Sequence, residues 1–429
     1  MQVLPESHTL GTLDPHSLHM ELPYESESSL RDSLSNRSDS QAAELYAHEN
    51  QHFQDLVGTV WGQDYLDLLF EAYDAIIRQD FGERSYPTLL RLFDADRKIL
   101  FPSYYKYVMP SAPHGSATDR WSMSFTTGTR FQPDGRSDER LPILFVRFDK
   151  GAKHVARQPI TVGSLLEMRA FGVEFGAFTL WNKTRPADEA VVSKAIRSRN
   201  TMAFLYDPSM TTYSVSSHVA AYALGSSDVV AMTDAGFKVA DIALNLTANA
   251  FNKLVHPPAM GTNLPRERLR GFRVQRDRGY AFTTLLFHLR GLVTDVASEA
   301  AIQTALTRAG LRPLDELLAQ ARVAIERKRK TELLSPELRV IRERLVDAGL
   351  TVLYRRNFDE LRMWPAPLIA PGPLVMTGED CAEFHVSTPT LSVEQTCFLH
   401  DCYSRLRDQT KLALRAARGF EFGWSDYVY

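Results

Sequence analysis

The sequence predicts an α+β protein that is mostly α-helical, with a small β component in its first third. Three observations carry that expectation. Apolar residues recur at three- and four-residue spacing from about residue 40 to 80, and again through most of 161–418. β-branched and aromatic residues concentrate in one run, LPILFVRFD at 141–149. No segment repeats at a fixed period, which sets a solenoid aside.

Taken in order, residues 1–37 are rich in Ser, Glu, Asp, Pro and His without apolar period, and read as a flexible N-terminal arm. Ser38 or Ser40 can cap a helix running through QAAELYAHENQHFQDLVGTVWG, with Glu44 in its first turn. Leu45, His48, His52, Leu56 and Val60 share one stripe of it, so that face looks inward. A second helix is expected over 64–79, then a segment starting at Pro87 and an irregular stretch, 101–140. Within that stretch WSMSFTTGTRF alternates weakly, as a strand or hairpin does. Thr161-Val162-Gly163-Ser164 leads into LLEMRAFGVEFGAFTL, a helix despite Gly172 and Gly176. Further helices are expected near 187–199, 214–224, 236–254, 280–292, 296–309, 313–330, 336–349 and 391–418. Pro365, Pro367, Pro371 and Pro373 mark a long loop. The expected organisation is an arm at 1–37, a metal-binding region at 38–255 with a strand-containing insert at 101–150, and a helical C-terminal region at 256–429.

Composition narrows the function. Lys+Arg 49 against Asp+Glu 52 leaves a formal charge of −3, with no global pull toward nucleic acid or an anionic membrane. The basic runs 267–279 and 324–334 read as solvated or ion-paired helix faces. Cys381, Cys397 and Cys402 form no disulfide framework, and such sparse usage suits a reducing compartment. Cys397 and Cys402 lack the spacing of a zinc or redox pair. No apolar run reaches the length of a bilayer span, and no secretory pattern opens the chain, so a cytoplasmic location is expected. Neither GxGxxG nor GxSxG occurs.

One constellation carries chemistry. His48-Glu49-Asn50-Gln51-His52 is an HExxH motif. Four residues of helix turn through about 400°, so the two imidazoles project from one face a turn apart and can share a metal ion, usually zinc. Glu49, about 100° round from His48, is placed to take a proton from a polarised water without ligating the ion itself.

The helix bearing HENQH resembles that of the zincin metallopeptidases. In their gluzincin branch a Glu on a later helix supplies the third ligand, and the resemblance implies Glu167 in VGSLLEMRA for that role. The order HENQHF, long insert, strand, GSLLExxA is also similar to a group of largely uncharacterised bacterial HExxH proteins. Glu174, seven residues on and on the same helical face, is the rival. The chain departs from simple gluzincins in the 115 residues between His52 and Glu167, and FQDLVGTVWG after His52 excludes a metzincin.

The resemblance thus implies a zinc-dependent hydrolase, a metallopeptidase acting on peptide or protein, with Glu49 as general base and His48, His52 and Glu167 as ligands. The alternative is an inactive zincin-like binding or regulatory module whose metal is structural or lost. Tyr213, His218, Tyr222, His256, Tyr280 and His288 are the candidates for a transition-state donor, and no spacing rule separates them.

Overall fold

The computed structural model describes residues 10–36, 40–79, 105–131, 136–226, 228–260, 264–293, 297–354, 372–378 and 389–418, with 88, 91–92, 95–96 and 383–384. In chain order these form β1 (Thr12–Asp14), β2 (His19–Leu22), α1 (Glu27–Asn36), α2 (Ser40–Gly58) and α3 (Val60–Ile77). Next come β3 (Tyr107–Val108), β4 (Ser122–Phe131), β5 (Ser137–Lys150) and β6 (Lys153–Pro159). Then follow α4 (Val162–Asn182), α5 (Ala187–Leu205), α6 (Thr211–Leu224), α7 (Val229–Asn245), α8 (Ala248–Lys253), α9 (Arg266–Val274), α10 (Arg278–Leu289), α11 (Glu299–Arg308) and α12 (Leu314–Glu326). The chain continues with α13 (Pro336–Tyr354), β7 (Leu374–Thr377), β8 (Glu383–Phe384) and α14 (Val393–Arg418). The protein is mostly helical with small sheets, the class the sequence predicts. No helix among the described residues is long and apolar enough to cross a membrane. Most of the segment after Pro87, the proline-rich stretch up to Pro371 and the aromatic tail 419–429 lie outside the described residues.

The chain divides into two compact units, and not at the boundary expected near residue 255. The first takes residues within 1–100, 322–356 and 365–429, the second those within 101–321 and 357–364. The physical reason lies in one core that joins distant segments. Phe53 and Val57 of α2 and Leu66, Leu69 and Phe70 of α3 are buried with Leu338, Ile341 and Leu345 of α13 and Leu399 and Leu406 of α14. Each such side chain contributes about 1.5–3 kcal/mol.

In the first unit, part of the expected arm is ordered: residues 10–36 carry β1, β2 and α1. β1 pairs antiparallel with β2, β2 parallel with β7, and β7 antiparallel with β8, so the β component is not confined to the first third. The β1–β2 connection is built from polar groups. Asp14 accepts from the His16 backbone N–H at 2.9 Å and from the Ser17 hydroxyl at 2.6 Å, and Leu18 takes a positive φ of 61°. Met20, Leu22 and Val375 of this sheet pack with Leu30 of α1 and Ala42 and Tyr46 of α2.

The long helix expected to run through Gly62 breaks after Gly58. Thr59 caps α3, accepting from Gly62 N–H at 2.9 Å while its own hydroxyl donates to the Asp55 carbonyl at 2.6 Å. A Cβ on Gly62 would lie 2.2 Å from the Leu56 carbonyl oxygen, so only glycine permits this corner. α13 crosses α2 as closely: a Cβ on Gly349 would lie 2.1 Å from the Val57 carbonyl oxygen. Gly349→Ala is therefore expected to destabilise the protein by about 1–3 kcal/mol, read as a lowered thermal midpoint; an unchanged midpoint would contradict this close approach.

In the second unit the sheet order is β3-β6-β5-β4, antiparallel throughout, with β5 as the predicted strand, longer than expected at both ends. α4 starts where the TVGS signal puts it. Thr161 and Ser164 form a reciprocal box, with Thr161 N–H on Ser164 Oγ at 3.0 Å and Ser164 N–H on Thr161 Oγ1 at 3.4 Å. Gly172 explains itself by packing: a Cβ there would meet the Phe237 ring of α7 at 2.6 Å.

Candidate metal centre

α2 is buried along two faces. At 100° per residue, Ala42, Tyr46, Phe53 and Val57 form its apolar face. Glu44, His48, Gln51, His52 and Asp55 fall together on another arc, and all five are buried or half-buried. The stripe expected from Leu45 to Val60 thus resolves into a polar band, with Val60 already in α3. Buried polar groups are costly unless each has a partner. Gln51 Nε2 donates to Asp55 Oδ1 at 2.8 Å, one turn along. The signal for that pair, an amide and a carboxylate at i and i+4, lies in the sequence itself.

His48 and His52 come together as their spacing predicts. Their ring centroids lie 4.9 Å apart with the planes at 87°, an edge-to-face arrangement, and both rings are half-buried. Glu49 is 6% exposed. These three side chains belong to the first unit.

Glu167 and Glu174 both lie on α4, in the second unit. They sit seven residues apart, about 10 Å along the axis, so they occupy different surroundings. Glu174 is held by Arg197 of α5, Oε1 to Nη2 at 2.5 Å. Glu167 is 6% exposed, a carboxylate kept away from water. Its helix is fixed by a neighbour two residues on: Arg169 Nη1 lies 2.8 Å from Asp241 Oδ1 of α7, both fully buried, with the guanidinium 4.6 Å from the Phe237 ring centroid. Sequence reasoning missed this pair, since nothing local links positions 169 and 241. Asp241→Ala takes that carboxylate from a buried cation, and the expected cost is about 3 kcal/mol in urea unfolding; a loss near zero would show that Arg169 does not depend on it.

The donor candidates are engaged in packing within the second unit. His218 stacks on Trp121 at 5.7 Å and meets Phe148 edge-on at 5.0 Å, while its Nε2–H donates to the Leu205 carbonyl at 2.7 Å. Burial pushes its pKa down to about 4, so it is neutral at pH 7. His288 Nε2–H donates to the Val255 carbonyl at 3.0 Å, and burial lowers its pKa too. Tyr280 stacks on Phe272 at 4.7 Å and its hydroxyl lies 3.3 Å from His256 Nδ1. Tyr222 contacts Phe125 and Phe287 edge-on, and Tyr213 does the same to Phe204. None of the six is distinguished as a donor by these contacts.

Set against known proteins, the chain matches no protein-family model, no curated protein and no solved structure. What the site can do follows from its side chains.

Proposed function

We propose that this protein is a zinc-dependent hydrolase of zincin type, a cytoplasmic peptidase whose metal is held by His48, His52 and Glu167. The observation that carries the proposal is the polar band of α2, where two imidazoles meet edge-to-face beside a buried glutamate on an otherwise packed helix. Each of the three proposed ligands offers one ligand atom, and two imidazoles with one carboxylate suit zinc with a coordination position left open. Bound there, zinc supplies a Lewis acid for a substrate carbonyl and eases the ionisation of a water molecule.

The remaining work belongs to the chain. Glu49 accepts a proton at its carboxylate from the attacking water and delivers it to the leaving amine nitrogen. Glu49 can do this because its side chain lies about 100° round the helix from His48, beside the ligand face without being on it. Arg169 and Asp241 act on position only, holding the helix that carries Glu167. Glu174 is left out of the ligand set because Arg197 neutralises it.

Zinc titration of the chelator-treated protein tests the proposal. Wild type is expected to bind one zinc per chain. His48→Ala and His52→Ala are expected to bind none, Glu167→Gln at least tenfold more weakly, and Glu174→Gln as wild type. Wild type without stoichiometric zinc, or histidine variants that keep it, would overturn the ligand set. Wild-type affinity in Glu167→Gln would remove that carboxylate from it.

A further inference from the structure

α5 packs on its own unit through one side only. Ala190, Ser193, Arg197, Thr201 and Leu205 form the inward arc, and Thr201 and Leu205 are its buried residues. The opposite arc, about 140° wide at 100° per residue, carries Val191, Val192, Ala195 and Ile196. Val191 is 69% exposed, Val192 58% and Ile196 46%. Four apolar side chains in two adjacent turns make a continuous exposed strip, which is unlike the scattered single exposures of an ordinary surface.

The charges bordering the strip are complementary to those of a second copy of it. Asp188 lies in the same arc one turn toward the N-terminal end, and Arg199 lies there one turn toward the C-terminal end. Neither has an ion-pair partner among the described residues. A strip with acid at its head, base at its tail and an apolar centre is complementary to itself turned end for end. If two copies are related by a twofold axis at the height of the Ser193–Lys194 step, Val191 of one lies level with Ile196 of the other, on the two flanks of the contact. Val192 then faces Ala195, and Asp188 faces Arg199. All three pairings occur twice in one register, and Lys194 points out of the arc, so no like charges meet at the centre.

We propose that this protein self-associates through α5, as an antiparallel pair formed by two copies of the chain. The interface is a short helix-to-helix contact, so a reversible and concentration-dependent dimer is expected. Its orientation is set by the Asp188–Arg199 pairs.

Sedimentation velocity of the full chain over a wide concentration range tests this, with a circular-dichroism melt verifying the fold of each variant. Wild type is expected to pass from monomer to dimer. Ile196→Glu is expected to stay monomeric, with Val191→Ser replacing it if that variant melts abnormally. Asp188→Arg and Arg199→Asp are each expected to weaken the dimer by roughly tenfold through like charges brought face to face. The two combined are expected to restore it, because the swap exchanges head and tail on both copies. A wild type that stays monomeric throughout, or a dimer indifferent to Ile196→Glu, overturns the interface. A combined variant no tighter than the single ones overturns the antiparallel register.

Discussion

Glu49→Gln is expected to lower peptide hydrolysis by about 10²–10⁴-fold while leaving one zinc bound per chain. The amide has the shape of the carboxylate and keeps a hydrogen-bonding oxygen, but it cannot take a proton from water. Glu49 is not in the proposed ligand set, so metal affinity stays near that of wild type. His48→Ala, by contrast, removes a ligand and is expected to lose zinc and turnover together. Turnover of a peptide library by the zinc-loaded proteins, read beside their zinc content, separates the roles. Wild-type rates in Glu49→Gln would take the base role from that residue. A zinc-loaded wild type that cleaves nothing would instead favour the inactive binding module.

The second large effect concerns His16. Its ring is 1% exposed and stacks on Tyr403 of α14 at 3.9 Å. Nδ1 lies 3.2 Å from Asp14 Oδ1 and Nε2 lies 3.8 Å from Asp96 Oδ2. The Tyr73 hydroxyl of α3 donates to the His16 carbonyl at 2.9 Å, and Tyr65 donates to Asp96 at 2.8 Å. Burial alone pushes the imidazole down, but the bonds and charges of Asp14 and Asp96 outweigh it and raise its pKa from 6.5 to about 9. Burial pushes Asp14 up, yet His16 and Ser17 hold it well below the usual carboxylate range.

The raised value fixes the sign. The contribution of His16 is complete below about pH 6.5 and drains away as pH climbs through 9, whereas that of Asp14 is complete above about pH 4 and is lost in acid. Over 2.5 pH units the histidine accounts for about 3 kcal/mol. Urea unfolding between pH 6 and 9.5 is expected to show that loss in wild type. In His16→Gln it is expected to show a lower and much flatter profile. Parallel profiles for the two proteins would sink the assignment.

What the sequence revealed was local. The cap at Thr161, the strand at 141–149 and the imidazole pair were legible because their signals lie within one turn or one strand. The β1–β2 hairpin was not. Its strands are three and four residues long, too short to display a period, and β7, the partner of β2, lies more than 350 positions away. The break at Thr59 was hidden because apolar spacing continues across it, and the turn rests on one hydroxyl that both donates and accepts. The Glu174–Arg197 pair was equally closed to pattern reading, since Arg197 belongs to the next helix.

The first unit is discontinuous in sequence, and that matters during translation. Residues 101–321 emerge from the ribosome as one stretch and can fold while synthesis proceeds. The helix bearing the two histidines is made long before them, yet its companions Ile341, Leu399 and Leu406 leave the tunnel afterwards. Any capacity of those imidazoles to trap an ion thus matures last, and a nascent chain stalled short of Leu399 carries the motif without the core that steadies it.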